Sequence, residues 1–160
     1  MKDRYVMYDY NQDLIEFAEL AKVICDVDCA FIHLIDENQL QLATNAGCAN
    51  EFISEVKDLV DSIQVSGEPR EIEYFSKIKS YNLNKKSIDF YLGIPIKDNN
   101  DKVIGVLSVV DKKSRKLSEA NKKSLIVVSK SVLLLYEKKH LEENKKTCLN
   151  QMLNLNNGFY

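Results

Sequence analysis

The sequence predicts an α+β domain built on an antiparallel sheet, and three observations carry that prediction. Segments with helical spacing of apolar residues stand before, between and after groups of strand-like segments, an order that groups strands into hairpins. Two hairpins are visible, over residues 29–46 and 88–111, each turning on a short run rich in Asp and Asn. Their central strands lack polar/apolar alternation, so both faces of the sheet need a cover. A chain of 160 residues, 45% of them hydrophobic, suffices for one such core without staples.

The first element is a helix. From Asp13, Leu14, Phe17, Ala18, Ala21 and Ile24/Cys25 follow i, i+3, i+4, i+7 spacing, and Asp13 is the expected N-cap. CAFIHLID (29–36) is apolar on both faces apart from His33 and reads as a central strand. Asp36-Glu37-Asn38-Gln39 turns the chain into a second strand that ends near Gly47. Phe52, Ile53, Val56, Leu59, Val60 and Ile63 then predict one helix, stopped by Gly67 and Pro69. REIEYF (70–75) has strand character, and lysine-rich 76–87 reads as a loop or short helix. In the second hairpin, Pro95 cannot donate to a ladder and belongs at an edge or a bulge. Gly93 and Gly105 leave room for a close approach. A last helix, N-capped by Ser118, runs to about residue 155; Leu134, Leu141, Cys148 and Leu155 recur along it every seven residues.

Composition narrows the function. The formal net charge is −2, without the basic field that draws a protein to nucleic acid. MKDRYVMYDY has no apolar core of a signal peptide, and the most apolar segment, 124–136, carries Lys130 and is too short to span a bilayer. A cytoplasmic protein without membrane or nucleic-acid partners is expected. Cys25, Cys29, Cys48 and Cys148 fit neither a zinc-knuckle nor a CxxC spacing, and buried free thiols are expected. With two histidines, His33 and His140, no His-based metal site is expected, and no Ser/His/Asp motif or Gly-rich phosphate loop occurs.

The segments LIEFAELAKVICDVDCAFIHLIDENQLQLATNAG and FYLGIPIKDNNDKVIGVLSVVDKKSRKLSEANKKSL together resemble the GAF domain family, small-molecule-sensing relatives of PAS domains. The bacterial FYxGxP subgroup is matched by Phe90, Tyr91, Gly93, Pro95, Gly105, Leu107, Val109, Asp111, Arg115 and Leu117. The resemblance covers residues 13–141, leaving 1–12 as an N-terminal extension and 142–160 as a C-terminal helical extension and tail. It implies a PAS-like central sheet of five or six strands, with the N- and C-terminal helices on one face and a cavity covered by loop or helix on the other. It also implies dimerisation through the terminal helices.

The subgroup's Cys-x-His and Asp-rich loop are missing from 52–64 and 76–87, so no cofactor or ligand identity carries over. No cysteine lies between Cys48 and Cys148, which argues against a free methionine sulfoxide reductase and against a bilin held through a thioether. The motif of cyclic-nucleotide-binding relatives is absent as well. The expectation is a non-enzymatic sensory homodimer that binds an unknown small molecule and acts with a signalling partner such as a histidine kinase. A ligand-free dimerisation or docking module is the alternative. Candidate ligand-binding residues are His33, Tyr74, Tyr81, Tyr91 and Ser108; His33 and Ser108 also suit a structural role in central strands, and Tyr91 suits core packing. Asp111 reads as a strand-ending residue that accepts hydrogen bonds from the next turn or pairs with Arg115.

Overall fold

A computed structural model of the chain describes residues 9–73 and 88–157. The elements run α1 (Tyr10–Cys25), β1 (Cys29–Asp36), β2 (Gln39–Ala46), α2 (Asn50–Glu55), α3 (Lys57–Ser66), β3 (Arg70–Ile72), β4 (Phe90–Lys97), β5 (Val103–Asp111) and α4 (Glu119–Asn157). The strands form one sheet in the order β2-β1-β5-β4-β3, with every neighbouring pair antiparallel. The strand order follows from hairpin chemistry: β1–β2 and β4–β5 are local hairpins, and β1 joins them by pairing with β5.

Side-chain alternation divides the core. On one face, Ala30, Ile32 and Leu34 of β1 and Phe90, Leu92 and Ile94 of β4 pack against Leu14, Ala18 and Ala21 of α1 and Leu125, Val128 and Val132 of α4. On the other, Cys29, Phe31, Tyr91, Val106 and Val110 meet Ile53 of α2 and Val60 and Ile63 of α3. Both central strands are thus buried on both sides, which is why neither alternates in polarity.

Several local details depart from the sequence reading. The N-cap of α1 is Asp9, not Asp13: the Gln12 amide donates to Asp9 Oδ1 at 3.1 Å, and Asp13 lies in the first turn, where its charge still favours the helix dipole. The helix expected from Phe52 to Ile63 is two, broken at Val56 (φ −105°, ψ 8°), so the cover bends over the sheet before Gly67, with φ +70°, ends it. Cys29 and Cys48, expected as free thiols, are joined in a disulfide; Cys25 is a buried free thiol and Cys148 an exposed one. Of REIEYF, Arg70–Ile72 is strand, and Tyr74 and Phe75 lie outside the described residues.

Other expectations hold. Ser118 caps α4, its Oγ accepting from the Asn121 amide at 3.1 Å. Pro95 lies on β4 past the end of β3, beside the register shift at Ile96/Lys97. Asp111 ends β5 as a buried carboxylate that accepts from the Lys113 amide at 3.1 Å and from Arg115 Nε. Arg115 also reaches Asp26, the C-cap of α1, at 4.0 Å, so one guanidinium joins β5 to α1. Arg115 is half-buried, which tempers the energy of this pair. Asp111→Ala is expected to cost about 2–3 kcal/mol in denaturant titration, and Asp111→Asn less, because the amide oxygen still accepts from Lys113. Equal losses would place the whole effect on the charge and remove the Lys113 hydrogen bond from this account.

Candidate functional site

Under the α2–α3 cover, three polar side chains interrupt an otherwise apolar floor. His33, Tyr91 and Ser108 are each at most 1% exposed, and all three point to this side of the sheet. They are three of the five expected ligand residues; Tyr74 and Tyr81 lie outside the described residues.

The strand register explains how two of them meet. Gly93 pairs with Ser108, whereas Tyr91 lies two residues along the same strand on the same face. With no side chain on Gly93, the Tyr91 ring leans across it, and its hydroxyl lies 3.0 Å from Ser108 Oγ in a buried hydrogen bond. A Cβ at Gly93 would collide with that hydroxyl and with Ile63. The space that Gly93 leaves is therefore taken by Tyr91.

His33 stands apart from that pair. It lies beside the register shift between β1 and β2, edge-on to Phe31 at 5.7 Å between ring centroids. Its Nδ1 is buried with no hydrogen-bond partner among the described residues. Burial, with help from the Lys57 charge and against that of Asp61, lowers its pKa from 6.5 to about 4. At neutral pH the ring is uncharged and can offer one donor and one acceptor to a neutral or polar group, without ion pairing.

The other face holds a groove that no local sequence pattern announces. Tyr10 of α1, Leu34 and Asp36 of β1, and Tyr136, Lys139 and His140 of α4 help to line a cavity of about 200 Å³. The Tyr136 hydroxyl donates to the Ile35 carbonyl at 3.2 Å, and the His140 ring stacks on Tyr136 at 4.1 Å. Burial first, then the charges of Asp36, Asp98 and Glu143, raise the Tyr136 pKa. The Lys139 ammonium sits 4.2 Å from the centre of the Tyr10 ring. These residues come from both ends of the chain, and nothing in their local spacing signals the meeting.

Among the described residues no group of three or more His, Cys, Asp or Glu side chains could hold a metal ion, and no helix is long and apolar enough to cross a membrane.

Comparison with solved structures finds the same architecture. The GAF domain of a phosphoenolpyruvate-protein phosphotransferase from Acinetobacter superimposes with a TM-score of 0.70 at 25% identity, covering 85% of this chain and 87% of that one. A domain assigned to a two-component sensor histidine kinase protein from Sinorhizobium meliloti 1021 gives 0.69 at 11% identity, over 87% and 98%. The blue-light absorbing form of the PixJ GAF domain from Thermosynechococcus elongatus gives 0.65 at 12%, over 89% and 94%. Comparison with curated proteins finds no match. The model of the GAF domain family matches residues 11–132, and with the five-stranded antiparallel sheet and its helical layers this establishes that the chain belongs to the GAF domain family.

Proposed function

We propose that the chain is a non-enzymatic, cytoplasmic sensory domain of a signalling system that dimerises through α1 and α4 and binds a small molecule under the α2–α3 cover. The observation that carries this reading is the stripe of Val127, Leu134, Leu141, Cys148 and Leu155, spaced seven residues apart on α4 and exposed throughout. A seven-residue apolar repeat keeps one seam turned toward a partner helix, and a second copy of α4 supplies the matching seam. Leu20 and Val23 of α1, also exposed, extend the apolar surface of the terminal-helix layer. At 1.5 Å per residue, the 39 residues of α4 reach roughly 58 Å, so the helix projects past the sheet and can pass a change of helix packing onward.

The similar domains belong to a phosphoenolpyruvate-protein phosphotransferase and to a sensor histidine kinase protein, which supports a signalling context and a kinase-type partner. The ligand half of the reading rests on His33, because a buried polar atom without a partner is uncommon unless something else satisfies it. One observation favours the docking-module alternative instead: Tyr91 already fills the room above Gly93.

Light scattering of the full chain at high micromolar concentration is expected to give a dimer, and Leu134→Glu/Leu141→Glu a folded monomer. A monomeric parent chain would sink the dimer. Native mass spectrometry of protein from its own host should show a retained small molecule that His33→Leu loses. A bare dimer would decide for the docking module.

A further inference from the structure

Cys29 and Cys48 occupy unequal environments. Cys29 opens β1 and is fully buried in the floor under the α2–α3 cover. Cys48 is half-buried, in the connection that leads from β2 into α2 two residues later. The bond between them, with Cα atoms 5.2 Å apart, therefore fastens the entrance of the cover to the floor.

Chemistry distinguishes this pair from the other cysteines. Burial pushes the Cys25 thiol up to about 11, so it stays protonated and inert. Cys148 is exposed but lies on the projecting helix, away from any second cysteine in the domain. Charged side chains stand on the residues that flank Cys48: the Lys22 ammonium lies beside Gly47, 3.0 Å from where a Cβ would stand, and the Lys112 ammonium lies 5.6 Å from the centre of the Phe52 ring. The nearby Asp28 carboxylate accepts from the Lys112 backbone amide at 3.1 Å. A half-buried sulfur is open to attack where its fully buried partner is not, and in the reducing compartment of the proposed function, on which this point rests, disulfides are most often transient and redox-sensing.

We propose that Cys29 and Cys48 form a reversible dithiol/disulfide couple, a site of oxidation by small peroxides that sets how firmly the α2–α3 cover is held to the sheet. In the oxidising direction the Cys48 thiolate attacks the O–O bond of hydrogen peroxide, giving a Cys48 sulfenic acid and hydroxide, or an alkoxide where the peroxide is an alkyl hydroperoxide. The Cys29 thiol then attacks that sulfur; the S–S bond forms, the S–O bond breaks, and water leaves. In the reducing direction a dithiol attacks at Cys48, the accessible sulfur, and Cys29 departs as thiolate and takes a proton. The second thiol of the reductant closes its own disulfide and frees Cys48. Two electrons and two protons pass from the dithiol to the protein. The proposal does not depend on a ligand occupying the floor, although a ligand there would be enclosed more loosely in the reduced state.

The test uses the full chain carrying Cys148→Ser, which removes crosslinks between copies, equilibrated natively in glutathione buffers of graded ratio or with dithiothreitol, then alkylated and weighed. Oxidised protein should label at Cys25 alone after unfolding, reduced protein at Cys25, Cys29 and Cys48, and hydrogen peroxide should restore the first pattern. Amide exchange over residues 48–66 should quicken at least about tenfold on reduction and should run ahead of exchange in β4 and β5. A bond that opens only after denaturation would make it a static staple and overturn the proposal. So would reduction without a change in exchange over 48–66.

Discussion

Lowering the pH from 7 to 4 is expected to remove about 3 kcal/mol of stability through His33 alone, the figure that follows from a folded-state pKa of about 4 against 6.5 unfolded. The sign follows from which state binds the proton. The unfolded chain protonates its imidazole as pH falls through 6.5, whereas the folded chain resists until about 4, because protonation would place an unpaired charge in the floor. The stabilisation is whole above 6.5, declines between 6.5 and 4, and is gone below. His33→Leu should flatten that limb in urea titrations across the range. At pH 7 the variant should be no less stable than the parent, since it removes a buried Nδ1 that has no partner. Should the variant fold poorly, the His33 imidazole proton resonance of the parent answers the same question: it should show no titration above pH 5. Titration near 6.5 would show that His33 is solvated and would also weaken its place as a ligand contact.

The core faces were legible because their signals are local. Period-2 and period-3.6 patterns decide which side of an element is buried, and the uninterrupted apolar strands 29–36 and 103–111 required two covers, both of which are there. Capping was less legible. Asp9 and Asp13 are both good N-cap residues, and apolar spacing alone favoured the second because Tyr10, which opens the helix, packs only partly on the core. The break at Val56 has no breaker residue to announce it, because the apolar period runs through it and Val56 itself is buried against the sheet.

Contacts that depend on register were harder still. Ser108 and Tyr91 could be named as candidates, but their hydrogen bond requires the pairing of Gly93 with Ser108, which no local pattern encodes. The disulfide had a readable trace. With the turn at Glu37-Asn38, the first hairpin pairs Ala30 with Ala46, so Cys29 and Cys48 fall at the same open end. Reading cysteines by motif spacing missed this, because a hairpin brings together positions mirrored about its turn. The remaining candidates, Tyr74 and Tyr81, fall outside the described residues.

That hairpin geometry also sets the size of the second effect. A bond across a sequence separation of 19 removes loop-closure freedom from the unfolded chain worth about 3 kcal/mol at 25 °C in the chain-entropy treatment. The folded state gives up little when the bond opens, since Cys29 as a thiol remains a small apolar group in the same cluster. Reduction of the unmutated chain should therefore lower its stability by about 3 kcal/mol, near 6–12 °C in Tm for a domain of this size. Parallel melts with and without dithiothreitol measure it, and Cys29→Ala/Cys48→Ala should melt at one temperature under both conditions. Because both cysteines sit at the open end of the first hairpin, the loss should appear as weaker attachment of α2 to the floor well before β4 and β5 separate. Equal Tm values for the oxidised and reduced parent would mean that the unfolded chain already holds this end of the hairpin together.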